Sequence, residues 1–133
     1  MRRSDFQRLA VERLEDAKAL FRAERFGAAH YIAGYAIECG LKALICRRIA
    51  AAEEFPDKDG KRYYTHDLGA LLRMAALESE MASTEALREN WSRIKDWDPE
   101  MRYQSSLRDV ADVFLRAITD EPDGVFSCLT RYW

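Results

Sequence analysis

Residues 28–45 read AAHYIAGYAIECGLKALI, and nearly every side of that stretch is apolar or small. A helix that is hydrophobic all round has no face to offer solvent, so other helices or a second subunit must enclose it. This one segment therefore predicts a helical assembly built around a central helix. Ala29, Ala33, Gly34, Ala36 and Gly40 would let neighbouring helices approach closely. Gly34 and Gly40 each cost about 1 kcal/mol of helix propensity relative to alanine. Close packing or a ligand contact is the expected compensation.

The remaining segments supply helices to do the enclosing. From Ser4 to Glu24, Phe6, Leu9, Ala10, Leu14, Ala17, Leu20 and Phe21 recur at steps of three and four, with most charges off that stripe. Ser4 is expected to cap this helix and Gly27 to terminate it. The central helix is expected over Ala28–Ala52, followed by a polar loop, Ala52–Thr65, carrying Pro56, Asp57, Asp59 and Gly60. Helical spacing returns over residues 66–80 and over Ser83–Lys95, the latter with Leu87, Trp91 and Ile94 inward. Trp97-Asp98-Pro99 breaks the pattern, because proline disfavours helix in the residue before it. A last long helix over Ser105–Asp120 would bury Leu107, Val110, Ala111, Val113, Phe114 and Ile118. Pro122 and Gly124 close it, leaving Val125–Trp133 for a final short helix. The expected fold is all-α, an up-and-down bundle of four to five helices forming one domain over residues 1–133.

Composition narrows the function classes. With 133 residues, 48% of them hydrophobic, the chain can build one core, and six glycines and three prolines are too few for a turn-rich β fold. Twenty-one basic residues against 23 acidic ones give a net charge of −2, which excludes a general polyanion coat and a disordered acidic tail. No run approaches 18 apolar residues, so no membrane span is expected. The charged start, Met1-Arg2-Arg3-Ser4-Asp5, lacks a following apolar signal core, and a cytoplasmic location is expected. Cys39, Cys46 and Cys128 form no C-x-x-C pair and read as small buried hydrophobes.

Three polar residues interrupt the central helix: His30, Glu38 and Lys42. Glu38 and Lys42 stand four apart, acid before base, the favourable order for pairing along a helix. A carboxylate among apolar neighbours is costly unless paired, so Glu38 is the most informative residue of the chain. It is either half of a buried ion pair or part of a polar patch facing a ligand or a subunit interface. His66-Asp67 reads as a helix start, with Asp67 or Thr65 accepting from backbone N–H groups. Two histidines with no H-E-x-x-H and no nearby cysteine give no metal signal, and no cofactor is implied. G-x-S-x-G, P-loop and G-x-G-x-x-G patterns are absent from the sequence.

Three strings together resemble a HEPN domain (higher eukaryotes and prokaryotes nucleotide-binding): GAAHYIAGYAIECGLKALI from Gly27, THDLGALL from Thr65, and the W-x5-W-DPEMRY run from Trp91 to Tyr103. The resemblance covers most of the chain, and Tyr35-Ala36-Ile37-Glu38 with Leu41-Lys42-Ala43 is its most specific part. It implies a helical bundle that pairs as a homodimer, often encoded beside a small nucleotidyltransferase as a toxin–antitoxin pair. A large subset of the family are metal-independent RNases marked by R-x4–6-H at the start of a late helix. There, arginine and histidine from two subunits surround the scissile phosphate. In this chain the late position resembles Arg102-Tyr103, with no histidine at the required offset. A literal match, Arg25 to His30, falls instead at the junction of the first two helices.

The expectation from these features is a dimeric RNA- or nucleotide-binding component of a toxin–antitoxin-type system with a nucleotidyltransferase antitoxin as partner. The alternatives are a metal-independent endoribonuclease toxin, using Arg25 and His30 or Arg102 with a histidine from elsewhere, and a non-catalytic dimerisation module. Glu38, Lys42, Arg102 and Tyr103 are the candidate ligand contacts, and Trp97, Arg102 and Tyr103 are expected at the surface. Sixteen of the 21 basic residues are arginine, the type suited to forked contacts with phosphate or carboxylate. Residues 1–52 hold 10 basic and 6 acidic side chains, whereas residues 53–100 hold 7 and 12. Those halves could complement each other across a subunit interface.

Overall fold

Helix α1, Arg3–Arg22, buries Phe6, Ala10, Leu14 and Ala17, which follow one another at helical steps of four, four and three. Its outer face is laced by short-range ion pairs, Arg8–Glu12 at 3.2 Å and Lys18–Glu15 at 3.0 Å. The computed structural model describes residues 1–49, 63–103 and 105–133, with the side chain of Arg102 outside that description. Most of the expected polar loop, the end of the central helix beyond Ile49, and Gln104 therefore lie outside the described residues.

Helix α2, Phe26–Ile49, is the enclosed one: fourteen of its 24 residues are buried, and they fall on all sides. It touches α1, α3 (Leu68–Met74), α6 (Arg108–Thr119), α7 (Val125–Arg131) and the 3-10 helix Pro99–Tyr103. Helices α4 (Glu78–Met81) and α5 (Glu85–Ile94) complete the order. The described residues form an all-helical bundle with two long N-terminal helices and no strand, as expected. The segment over residues 66–80 forms two short helices rather than one.

Gly34 and Gly40 of α2 are there for packing. A Cβ on Gly34 would fall 2.2 Å from Nε1 of Trp97, whose indole fills the space that the missing side chain leaves. A Cβ on Gly40 would sit 3.0 Å from Leu129 of α7. Trp97 is thus buried at 2% exposure, not at the surface as its charged neighbours suggested. Its ring also stacks on Tyr31, with centroids 6.0 Å apart.

Two expected caps are replaced. Helix α1 begins before Ser4; its start is closed by the Arg2 backbone N–H donating to Asp5 at 3.0 Å. Gly27 lies inside the first turn of α2, and α1 ends at Ala23 with Glu24 in the left-handed region at φ 61°. The Glu24 N–H donates to the Phe21 carbonyl and the Arg25 N–H to the Leu20 carbonyl, a Schellman turn. Ala76 ends α3 the same way at φ 56°. An L-residue in this conformation is strained, which glycine would not be. Glu24→Gly is therefore expected to raise stability by about 0.5–1 kcal/mol. Urea denaturation would show a later midpoint with unchanged slope; an earlier midpoint would refute this account of the turn.

Candidate functional site

The N-terminal half of α2 places His30 against the start of α6. His30 is 9% exposed, and its Nδ1 lies 3.0 Å from the Ser106 hydroxyl, just ahead of that helix. Its ring packs on Phe114 with centroids 4.1 Å apart. With Nδ1 engaged, Nε2 is the nitrogen left over, buried and with no hydrogen-bond partner. Burial lowers the imidazole pKa below its ordinary 6.5, so the ring is neutral at physiological pH. His30 lines a groove of about 460 Å3 whose walls are Trp97, Met101, Val110, Val113 and Phe114, with Arg93, Asp96 and Asp109 as the other polar residues.

The groove opens beside an exposed apolar strip. Leu107, Val110 and Val113, expected inward, are 78%, 50% and 50% exposed. Helix α6 carries apolar residues on two adjacent faces; Ala111, Phe114, Ala117 and Ile118 are buried in the core, and Leu115 packs half-buried against it. Tyr103, at the end of the 3-10 helix, is 73% exposed, as expected for a contact residue. The backbone of Arg102 belongs to that same turn.

Arg25 and His30 are not brought together. Arg25 is exposed ahead of α2, where its carbonyl accepts from Ala29, whereas His30 faces the interior. Five residues along a helix correspond to roughly 500°, which leaves the two on different faces. The histidine instead approaches the segment that follows Arg102.

Glu38 and Lys42 occupy a second polar centre. The Glu38 carboxylate is 2% exposed, and its Oε2 lies 3.7 Å from Lys42 Nζ, the pairing that the i, i+4 spacing predicts. Its Oε1 accepts from His66 Nδ1, a contact that sequence spacing could not reveal because the two are 28 residues apart. Asp67 does cap α3, accepting from Ala70 N–H at 3.0 Å, and Thr65 accepts from Asp67 N–H at 3.1 Å. Beyond His66 lies a cavity of about 610 Å3 between this helix start and the Lys95–Glu100 connection. Asp67, Asp96, Asp98 and Glu100 line it against Lys95 and His66, a balance unsuited to phosphate. Neither Glu38 nor Lys42 lines either cavity.

The cysteines Cys39, Cys46 and Cys128 are free and buried, and burial pushes the Cys39 thiol up to about 11. Among the described residues no group of three or more His, Cys, Asp or Glu side chains is arranged to hold a metal ion. No helix among them is long and apolar enough to cross a membrane.

Two stability predictions follow from these surroundings. Glu38→Ala removes the buried carboxylate that Lys42 and His66 engage and is expected to cost about 3 kcal/mol, with Glu38→Gln losing less; equal stability of all three proteins by denaturation would refute the pairing. For His30, the unfolded ring gains its proton near 6.5 while the buried ring resists it. Stability is therefore lost as pH falls from that value towards the lower folded pKa. His30→Gln is expected to flatten this fall between about pH 7 and about pH 5, as read by thermal unfolding; an unchanged slope would refute it.

Residues 4–116 match the family model of the HEPN domain. Comparisons with curated proteins and with solved structures gave no significant match.

Proposed function

The chain belongs to the HEPN family, whose function is nucleotide- or RNA-related and whose domains often dimerise, and from that premise we propose that it is a dimeric RNA- or nucleotide-binding protein whose ligand lies across the His30 groove and the Arg102–Tyr103 turn. The observation that carries this reading is the His30–Ser106 contact, which sets a buried, half-satisfied imidazole beside the family's late motif region. Sequence offset gives Arg102 no histidine, and the support for pairing it with His30 is that His30 meets Ser106, four residues further along the chain.

The surroundings divide the work of binding a nucleotide. The groove walls are apolar and suit a base rather than a phosphate, because Asp96 and Asp109 would repel an anion. Tyr103 offers an exposed ring on which a base can stack. At the start of α6 the exposed Arg108 offers a cation to a phosphate, opposed by Asp109 in the same turn. Leu107, exposed and outside the groove lining, supports a second copy packing at the groove's edge, while Val110 and Val113 stay open to the ligand. Glu38 and Lys42 contribute by holding α2 and the start of α3 in place rather than by touching ligand. A nucleotidyltransferase antitoxin remains the proposed protein partner, on the family resemblance.

One observation favours a catalytic version, a metal-independent endoribonuclease. In the tautomer whose Nδ1–H donates to Ser106, the neutral imidazole keeps a lone pair on the unpartnered Nε2 that can accept a proton from a ribose 2′-hydroxyl, with arginine compensating the phosphate charge. In that version the pair is His30 with Arg102, not His30 with Arg25.

Binding is tested by anisotropy of labelled single-stranded RNA. Tyr103→Ala is expected to weaken affinity about tenfold, with Tyr103→Trp retaining it, and affinity is expected to fall with added salt. Affinity indifferent to both Tyr103→Ala and salt would overturn the reading. Cleavage in EDTA that disappears in a folded His30→Gln variant would establish the catalytic version; cleavage that persists would remove His30 from it.

A further inference from the structure

Several arginines of this chain are tied to a carboxylate of their own helix: Arg13 to Asp16 at 3.0 Å, Arg116 to Asp112 at 3.1 Å and Arg8 to Glu12 at 3.2 Å. Arg47 and Arg48 at the end of α2 and Arg73 at the end of α3 differ, and the sequence says why. Every residue three or four places from them is alanine, glycine, leucine or isoleucine, so no acid stands at helical pairing distance. All three are exposed, and none has an ion pair among the described residues. Arg47 and Arg48 are instead anchored at one corner: Arg47 Nη1 donates to the Tyr132 carbonyl, and Arg48 Nη1 to the Met74 carbonyl at 2.7 Å. Those bonds serve carbonyls at the ends of α7 and α3, the ordinary use of a cation at a helix C-terminus. Each takes one of the five N–H groups of a guanidinium and leaves a fixed cation with donors to spare. The three arginines line two adjoining recesses that share Arg48. One, of about 470 Å3, is bordered by Arg48, Arg73 and Tyr63; the other, of about 330 Å3, by Arg47, Arg48 and Tyr132, with aliphatic walls. No carboxylate among the described residues lines either, whereas Asp67, Asp96, Asp98 and Glu100 surround the cavity beside His66.

Taking single-stranded RNA as the ligand, which rests on the reading above, we propose that Arg47, Arg48 and Arg73 form a second contact, separate from the His30 groove, that holds the sugar–phosphate backbone. An arginine without a carboxylate presents a planar fork that phosphate oxygens match, and two of the three are already held in place by their carbonyl bonds. Two recesses joined at a shared arginine suit successive phosphates of one strand better than a single free anion. Tyr63 and Tyr132, half-buried against the core, give neighbouring bases an apolar surface. The work of binding is then divided by charge. The His30 groove, with Asp96 and Asp109, turns phosphate away and admits a base, whereas this end attracts phosphate and reads no sequence. Arg47 follows His30 on the same helix at a distance of roughly 25 Å along the axis, so the two contacts engage different nucleotides. An acidic peptide is the competing occupant; it would meet the cations but has no planar base to lay on the tyrosines.

The test uses the full chain and a labelled twelve-nucleotide uridine RNA, followed by fluorescence anisotropy across a salt series. Arg73→Glu reverses an exposed charge that has no ion pair to lose, and it is expected to weaken binding about tenfold. Arg48→Gln keeps an amide donor for the Met74 carbonyl. Combined with Arg73→Gln it removes two phosphate contacts, so the slope of log affinity against log salt is expected to shrink by about 1.4, at about 0.7 per contact of a single strand. Circular dichroism and thermal unfolding check that the variants keep their fold. Uridine monophosphate is expected not to compete at concentrations where the unlabelled RNA does. Affinity and salt slope unchanged in the folded arginine variants, while Tyr103→Ala still weakens binding, overturn this contact and leave the earlier reading standing. Competition by the monophosphate equal to that of the RNA replaces a backbone contact with a single-nucleotide site and overturns the proposal. Binding of labelled polyglutamate but not of RNA, weakened by Arg73→Glu, makes this an acidic-peptide surface and overturns it as well. Absence of binding to RNA and to nucleotide overturns both readings.

Discussion

The enclosure of α2 governs the whole molecule. A helix with buried residues on every side can be stable in water only when neighbours cover it completely, and α1, α3, α6, α7 and the 3-10 helix do so from different directions. Close approach is achieved by omission: Gly34 leaves a slot for the Trp97 indole, and Gly40 one for Leu129. The propensity that these glycines cost the isolated helix is offset by the dispersion and burial gained when large side chains fill the gaps. An added methyl at Gly34 would displace the indole and with it one wall of the His30 groove. Core packing and site geometry therefore depend on the same contact.

A buried carboxylate at the middle of such a helix looks at first like an error of design. Glu38 is tolerable because Lys42 lies one turn onward and His66 reaches it from the segment before α3. Replacing one partner leaves a charge in a low-dielectric setting, which is why a buried pair is fragile even where its net contribution is small. The arrangement also fixes position. His66 lies one residue before the Asp67 cap, so its contact with Glu38 ties the N-terminus of α3 to the central helix.

Much of this was legible in the chain because helix signals are local. The stripe of α1, the apolar girth of α2, the Asp67 cap of α3 and the break at Trp97-Asp98-Pro99 all follow from spacing and capping chemistry. What could not be read was non-local or two-sided. Leu107, Val110 and Val113 share the apolar character of Phe114 and Ile118, and periodicity alone does not say which face meets the core and which meets water or a partner. Trp97 stands among Asp96, Asp98 and Lys95 and so resembled a surface residue; only the slot at Gly34 explains its burial. Arg25 and His30 matched a motif in the string of letters, yet helical geometry turns them apart, and His30 finds Ser106 instead, 76 residues away. The turn after α1 was assigned to Gly27 by residue preference, whereas the chain accepts strain at Glu24.

The Trp97 indole lines both the His30 groove and the acidic cavity beside His66. It is a party wall, held on one side by Tyr31 and seated on Gly34. Asp96 borders both spaces as well, so the two cavities share a stretch of wall built from consecutive residues. A substitution at Trp97 therefore alters the boundary of both cavities at once.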